Sequence, residues 1–235
     1  MGTKYKEVFS AIERDILFGR YDDTRKLSTE DAYIEEYNVS RNTVRNAIDL
    51  LVKRGYCFPI QGCGVFLRHK KPAYSFDLEN IYGLTSNMAP LIVTSEVLEF
   101  KLIQANEDLA SKLDVPLGSP LYYVVRMRYV DQKPYIFETN YFNKALMPGL
   151  DENTATGSIF AYLSDETCQP VSFMDLVIQA VRIDAKVAQE FCLNEGDPGL
   201  RIDGFTMIRT GEIIQYYEVV CHYENVRLLK LASYF

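Results

Sequence analysis

Two pairs of arginines stand at spacings that turn both members of each pair the same way. Arg41 and Arg45 are four residues apart, one helical turn. They lie in a stretch where Val44, Ala47, Ile48, Leu51 and Val52 mark a buried helical stripe, so Arg41, Asn42, Arg45, Asn46 and Asp49 face outward. Guanidinium forks on the first turns of an exposed helix can bond guanine edges bidentately and neutralise phosphates. Ser40, placed as an N-cap, and Thr43 add hydroxyls for phosphate beside the free N–H groups of the helix start. Arg126 and Arg128 are two apart, so on a strand they share one face. Two guanidiniums there suit an anion such as a phosphate or carboxylate, or an ion pair with an acid of the next strand, Glu138.

Little else invites chemistry. His69 and His222 have no partners at triad or metal-site spacing. Five cysteines, at 57, 63, 168, 192 and 221, are an odd and scattered set with no Cys-x-x-Cys pair. They read as reduced thiols of a cytoplasmic protein, not a disulfide frame or a zinc site. No catalytic residue, metal or cofactor is expected.

The elements around the first pair are punctuated clearly. Tyr5, Val8, Phe9, Ile12 and Ile16 give an amphipathic helix over about 4–18, stopped by Gly19. Thr29, followed by Glu30 and Asp31, caps a short second helix. Asn38-Val39 makes a tight turn, Ser40 starts the third helix and Gly55 ends it. Two short strands, 56–60 and 65–67, then flank Gln61-Gly62-Cys63-Gly64. Helix, helix, turn, helix, hairpin is the order of a winged helix-turn-helix.

The residues Glu35-Glu36-Tyr37-Asn38-Val39-Ser40-Arg41-Asn42-Thr43-Val44-Arg45-Asn46-Ala47, with Gln61-Gly62-Cys63-Gly64-Val65-Phe66, resemble the DNA-binding domain of GntR-type bacterial transcription regulators. The resemblance implies that Arg41, Thr43 and Arg45 meet operator DNA and that a wing of Gly62 and Gly64 approaches the minor groove. Ser40 and Asn42 at the helix start and Gln61 at the wing are expected to join them. Two positions depart from the family's habit: Asp31 stands where an arginine is common, and Cys63 where a basic residue is common.

The rest of the chain holds a weak repeat. Ile103-Gln104-Ala105 recurs as Ile178-Gln179-Ala180, and Ala110, Leu113, Gly118 and Pro120 align with Ala188, Phe191, Gly196 and Pro198. Each copy reads as an amphipathic helix, a Gly-x-Pro turn and two strands, an antiparallel α+β pattern. Counted from Leu121 and Leu200, the partners of Arg126 and Arg128 are Phe205 and Met207, which makes the arginines look like an addition to the fold.

This segment resembles the ligand-sensing UTRA domain of the HutC-type branch of the same family, with its chorismate-lyase-like fold. The match rests on Leu113 to Pro120, Arg126-x-Arg128, Pro134, Glu138-x-x-Tyr141 and Ser158 to Leu163. It implies an effector site of Arg126, Arg128, Glu138 and Ser158, with a phosphorylated sugar as the model ligand; Tyr217 is expected to join it, although the family's closing pattern is blurred in Gln215-Tyr216-Tyr217-Glu218. Phe160 replaces a frequent tyrosine.

Length and charge frame these sites. The chain has 235 residues, 48% of them hydrophobic, and no run fit for a membrane span. The expected division is a DNA-binding domain over 1–71, a linker over 72–86 and an effector domain over 87–235. Its net charge of −7 is uneven: residues 1–72 carry 13 basic and 10 acidic side chains, so the rest holds the acidic excess. The expected function is a ligand-responsive, sequence-specific transcription regulator, a repressor acting as a homodimer on double-stranded operator DNA and sensing a small anionic effector. The alternatives are a lyase-like enzyme and a regulator that no longer binds an effector.

Overall fold

The computed structural model describes residues 4–68, 75–78, 83–88, 91–166 and 171–230. His69 to Pro72, much of the expected linker and Cys168 lie outside the described residues. The chain divides into two compact units, residues 1–79 with 229–235 and residues 80–228.

The first unit contains α1 (Lys4–Leu17), α2 (Glu30–Tyr37), α3 (Arg41–Lys53), β1 (Cys57–Ile60), β2 (Gly64–Leu67) and β3 (Ser75–Asp77). Local chemistry sets the helix ends. The Thr29 side chain accepts the Ala32 N–H, and Asn38, at φ 49°, turns the chain out of α2 in the left-handed region. Ser40 then accepts the Thr43 N–H and opens α3. The buried stripe of α3, Val44, Ala47, Ile48 and Leu51, packs with Val8, Phe9 and Ile12 of α1 and with Tyr33 of α2. Tyr33 is fully buried but not orphaned, because its hydroxyl donates to Tyr21 and accepts the Ser28 N–H. β1 and β2 pair antiparallel from Cys57↔Leu67 to Ile60↔Gly64, leaving Gln61 to Gly64 as an exposed tip.

The second unit runs α4 (Gly83–Met88), β4 (Val93–Gln104), α5 (Glu107–Leu113), β5 (Pro120–Val130), β6 (Lys133–Asn143), α6 (Glu152–Thr156), α7 (Ile159–Glu166), β7 (Val171–Arg182), α8 (Ala185–Phe191), β8 (Pro198–Ile208) and β9 (Ile213–His222). A last strand, β10 (Arg227–Leu229), crosses the boundary between the units in the chain, and within the first unit the Leu78 N–H donates to the Leu229 carbonyl. β3 falls within the span expected to be a linker, 72–86, and α4 begins in it.

The six long strands form one antiparallel sheet in the order β4-β5-β6-β9-β8-β7. Each repeat is strand, helix and hairpin: β4-α5-β5-β6, then β7-α8-β8-β9. Each copy thus begins with a 12-residue strand, not with the helix expected from sequence. Helices α5 and α8 cover one face of the sheet, through Leu109, Leu113, Val187, Ala188 and Phe191. On the other face α6 and α7 bury Ala155, Ile159 and Leu163 against Val124 and Phe142.

The helix caps fix how the two copies align. Asn106 and Asp184 are the N-caps, and Asp114 and Cys192 are left-handed C-caps. Carried along the strands at this offset, Arg126 and Arg128 correspond to Gly204 and Thr206, not to Phe205 and Met207. Leu200 is one residue later in its strand than Leu121, because Gly199 follows Pro198. A slip of one residue moves a strand position to the opposite face, and Phe205 indeed packs with Tyr216 on the α5 side. The cross-strand pairs agree: Arg126 faces Glu138, and Gly204 faces Tyr217. The arginine positions are therefore matched in the second copy by small residues, with Tyr217 lying over Gly204 where a side chain would otherwise stand.

Candidate functional site

In the first unit, α3 presents Arg41, Asn42, Arg45 and Asn46 to solvent, with Thr43 half-buried. The Ser40 hydroxyl is 2.9 Å from the Thr43 hydroxyl, so the two polar groups at the helix start lie together. Neither arginine stands alone. Arg41 Nη2 donates to Asp31 Oδ1 at 2.5 Å, and Arg45 Nε donates to both Glu30 carboxylate oxygens at 3.0 Å. The Glu30 carboxylate holds the Arg45 guanidinium above its ordinary pKa. At the wing tip the Cys63 N–H closes a turn onto the Ile60 carbonyl, and Gly62 takes φ 75° within it. No heavy atom lies within 4 Å of where a Gly62 side chain would start, so this backbone is open to close approach. Gly64 instead abuts the Lys26 side chain, which also lies over the Phe66 ring.

In the second unit β5 and β6 bring Arg126, Arg128 and Glu138 together, all three at most 6% exposed. Arg126 donates from Nε and Nη2 to Glu138 Oε2, at 3.0 and 2.5 Å. Its Nη1 donates to the Ala155 and Gly157 carbonyls, at 2.9 and 3.2 Å, around the end of α6. Arg128 Nη1 donates to Glu138 Oε1 at 3.3 Å, and its Nη2 to the Thr85 hydroxyl of α4 at 2.9 Å. The buried Arg128 Nε has no hydrogen-bond partner among the described residues.

The charges at this site do not balance. Two guanidiniums share one carboxylate, leaving one positive charge in excess among these buried groups. Burial pushes the Glu138 carboxyl up, but Arg126 and Arg128 together outweigh that and hold it below the ordinary carboxylate range. Arg128 moves the other way. Burial, with repulsion from Arg126, lowers its pKa against the pull of Glu138. The carboxylate is over-compensated by two guanidiniums, while Arg128 is depressed chiefly by its own burial.

A row of buried amides continues the site across the sheet. Asn140 donates to Glu138 at 3.4 Å, Gln215 donates to Asn140 at 2.6 Å, and Thr206 donates to Gln215 at 3.0 Å. Sequence reasoning missed Thr85, Asn140, Thr206 and Gln215. The signal available was a set of uncharged polar residues inside otherwise apolar strands. Ser158 follows Gly157, and its hydroxyl accepts the Ala161 N–H to start α7. Tyr217 is not in the arginine cluster: its hydroxyl donates to the Asp175 carbonyl at 3.3 Å, and its strand partner is Asn140. Phe160 lies against Gly83 of α4.

No acid–base pair of catalytic form accompanies these groups among the described residues. His222 is packed between the rings of Phe191 and Tyr223. No cluster of three metal-ligating side chains, and no helix long and apolar enough to cross a membrane, occurs among the described residues.

A winged helix-turn-helix followed by a separate unit with a buried cationic centre defines a DNA-binding transcription regulator with a ligand-sensing domain. Residues 4–67 match the gntR family of bacterial regulatory proteins, and residues 90–227 match the UTRA domain. The chain belongs to the gntR family of bacterial regulatory proteins, in its UTRA-domain branch. It is 26% identical over 233 residues to the HTH-type transcriptional regulator YydK of Bacillus subtilis, covering 99% of this chain and 98% of that one. It is 31% identical over 172 residues to the mannosyl-D-glycerate transport/metabolism system repressor MngR of Escherichia coli, covering 70% of each. The crystal structure of YydK superposes with a TM-score of 0.81 at 24% identity, covering 98% of this chain and 99% of that chain.

Proposed function

We propose that the chain is a homodimeric, cytoplasmic repressor, not an enzyme, released from or driven onto its operator by a small anion such as a sugar phosphate. The observation that carries the anion is the uncompensated positive charge of Arg126 and Arg128, with the buried Arg128 Nε unbonded. A buried guanidinium with a spare donor is costly until an acceptor arrives. Glu138 holds the pair in readiness, and Ser158, next in the chain to Gly157 whose carbonyl accepts from Arg126, would add a hydroxyl to the phosphate. Tyr217 would serve the far end of the ligand. The name of one relative joins a sugar to glycerate, a carboxylate, which fits the same chemistry.

We assign the DNA reader to 1–71 and the sensor to 87–235, joined through 72–86, save that residues 229–235 group with the first unit. Ser40, Arg41, Asn42, Thr43 and Arg45 meet the major groove, and Gln61, Gly62 and Gly64 meet the minor groove. Two copies of the reader would match a two-half-site operator.

Thermal shift against phosphorylated sugars, neutral sugars and simple anions tests the reading, because a ligand of the native state raises the melting temperature by mass action. A rise with one phosphorylated compound, lost in Arg126→Ala and Arg128→Ala, is expected. No rise with any anion would overturn it in favour of a second reading, a regulator whose arginines Glu138 closes permanently. The existing Arg–Glu138 bonds are what favour that alternative.

A further inference from the structure

The two acids at the start of α2 treat the two arginines of α3 differently. Arg41 is engaged at both terminal nitrogens, Nη2 with Asp31 at 2.5 Å and Nη1 with Glu30 at 3.5 Å. Among the described residues Arg45 is held through Nε, by both oxygens of Glu30. Its two terminal nitrogens have no partner among the described residues, and a guanidinium with free donors can bond guanine O6 and N7 bidentately. All four side chains are solvent-accessible, Asp31 most of all at 72%, and exposed ion pairs add little to the stability of a fold. Acids in the first turn would complement the α2 dipole without touching either arginine, so the helix alone does not explain these contacts.

Phosphate and base edge compete unequally for such arginines. A phosphate bonding Arg41 meets a guanidinium already paired with Asp31 at 2.5 Å, and the like charge of that carboxylate repels it. A neutral guanine edge on Arg45 displaces nothing. We propose that Glu30 and Asp31 are specificity-determining residues: Glu30 orients Arg45 towards the base edges, and Asp31 withholds Arg41 from phosphates that any sequence offers. This rests on the reading that α3 enters the major groove.

The test uses the full chain, a duplex selected by the unaltered protein from a random pool, and a scrambled duplex of equal length. Binding is followed by fluorescence anisotropy across a salt series. Asp31→Asn should tighten scrambled-duplex binding about three- to tenfold, the Coulomb scale of one charge a few ångströms from a phosphate. Its slope of log affinity against log salt should steepen by about 0.9, one added phosphate contact. Operator binding should gain less, so discrimination falls. Glu30→Gln should weaken operator binding about three- to tenfold while scrambled binding does not fall. Melting temperatures matching the unaltered protein would exclude a folding defect, and Asp31→Ala serves if Asp31→Asn unfolds. The proposal is overturned if Asp31→Asn leaves scrambled affinity and slope unchanged, or if Glu30→Gln weakens both duplexes equally. Arg45→Ala separates the two ideas, with an expected operator loss of about 5- to 150-fold. If Arg45→Ala binds normally, the groove reading itself fails. If it loses binding while the acid variants behave as unaltered, the assigned role of the acids alone fails.

Discussion

Replacing Glu138 by glutamine removes the one carboxylate from between two buried guanidiniums while nearly keeping its shape. Glu138 accepts from Arg126 Nε and Nη2, from Arg128 Nη1 and from Asn140 Nδ2. In the variant one oxygen becomes an amide N–H₂ that faces donors, and both arginines lose their counter-charge. Breaking a buried ion pair by removing one partner costs about 3–5 kcal/mol. At about 2–4 °C per kcal/mol for a protein of this size, the melting temperature should fall by about 6–20 °C. The chain has no tryptophan, so far-ultraviolet circular dichroism of the sheet unit is the natural probe, in urea and on heating. The loss should depend on pH. Because the folded-state pKa of Glu138 is depressed, its contribution is fully present above the unfolded value of about 4.3 and is lost as pH falls through the lower folded value. The gap between the unaltered protein and Glu138→Gln should therefore be widest near neutrality and narrow below about pH 4. A variant within about 1 kcal/mol of the unaltered protein at pH 7 would refute the charge accounting at this site.

Gly204→Ala should destabilise the sheet unit by about 1–3 kcal/mol in urea denaturation, since a Cβ there overlaps the Asp175 carbonyl oxygen and the Tyr217 hydroxyl. Iodoacetamide at pH 8 should label the exposed Cys63 and Cys192 and spare Cys57 and Cys221, whose thiols burial pushes up to about 12; peptide mass spectrometry reads the pattern.

The first unit was largely legible because its signals are local. Thr29, Asn38, Ser40 and Gly55 each act on a backbone group within a few residues, and each stands where its chemistry requires. The sheet was less legible. The residues of β4 alternate poorly, since a bulge between Val97 and Glu99 shifts its register, and in β7 the polar residues Ser172, Asp175, Gln179 and Arg182 recur every three or four positions, a helical spacing. Neither shows the clean period of two that marks a half-buried strand. The shared face of Arg126 and Arg128, and Glu138 opposite, followed from strand geometry alone. That both arginines use one carboxylate, and that carbonyls near the end of α6 take the remaining donors of Arg126, depends on packing between distant segments, which no local pattern encodes.

The order β4-β5-β6-β9-β8-β7 also bears on how the sheet can assemble. Four of its neighbouring pairs join strands that follow one another in the chain, so each half can close through one hairpin and one short helical connection. The entropy of long-range closure falls on a single seam, β6 against β9. That seam carries the buried bond from Gln215 to Asn140. Two amides that must find each other in an apolar interior penalise every neighbouring register, because a slip of one residue would bury both without partners. The row of polar side chains beside the cationic centre thus serves as an alignment key for the one docking step that the chain cannot make locally.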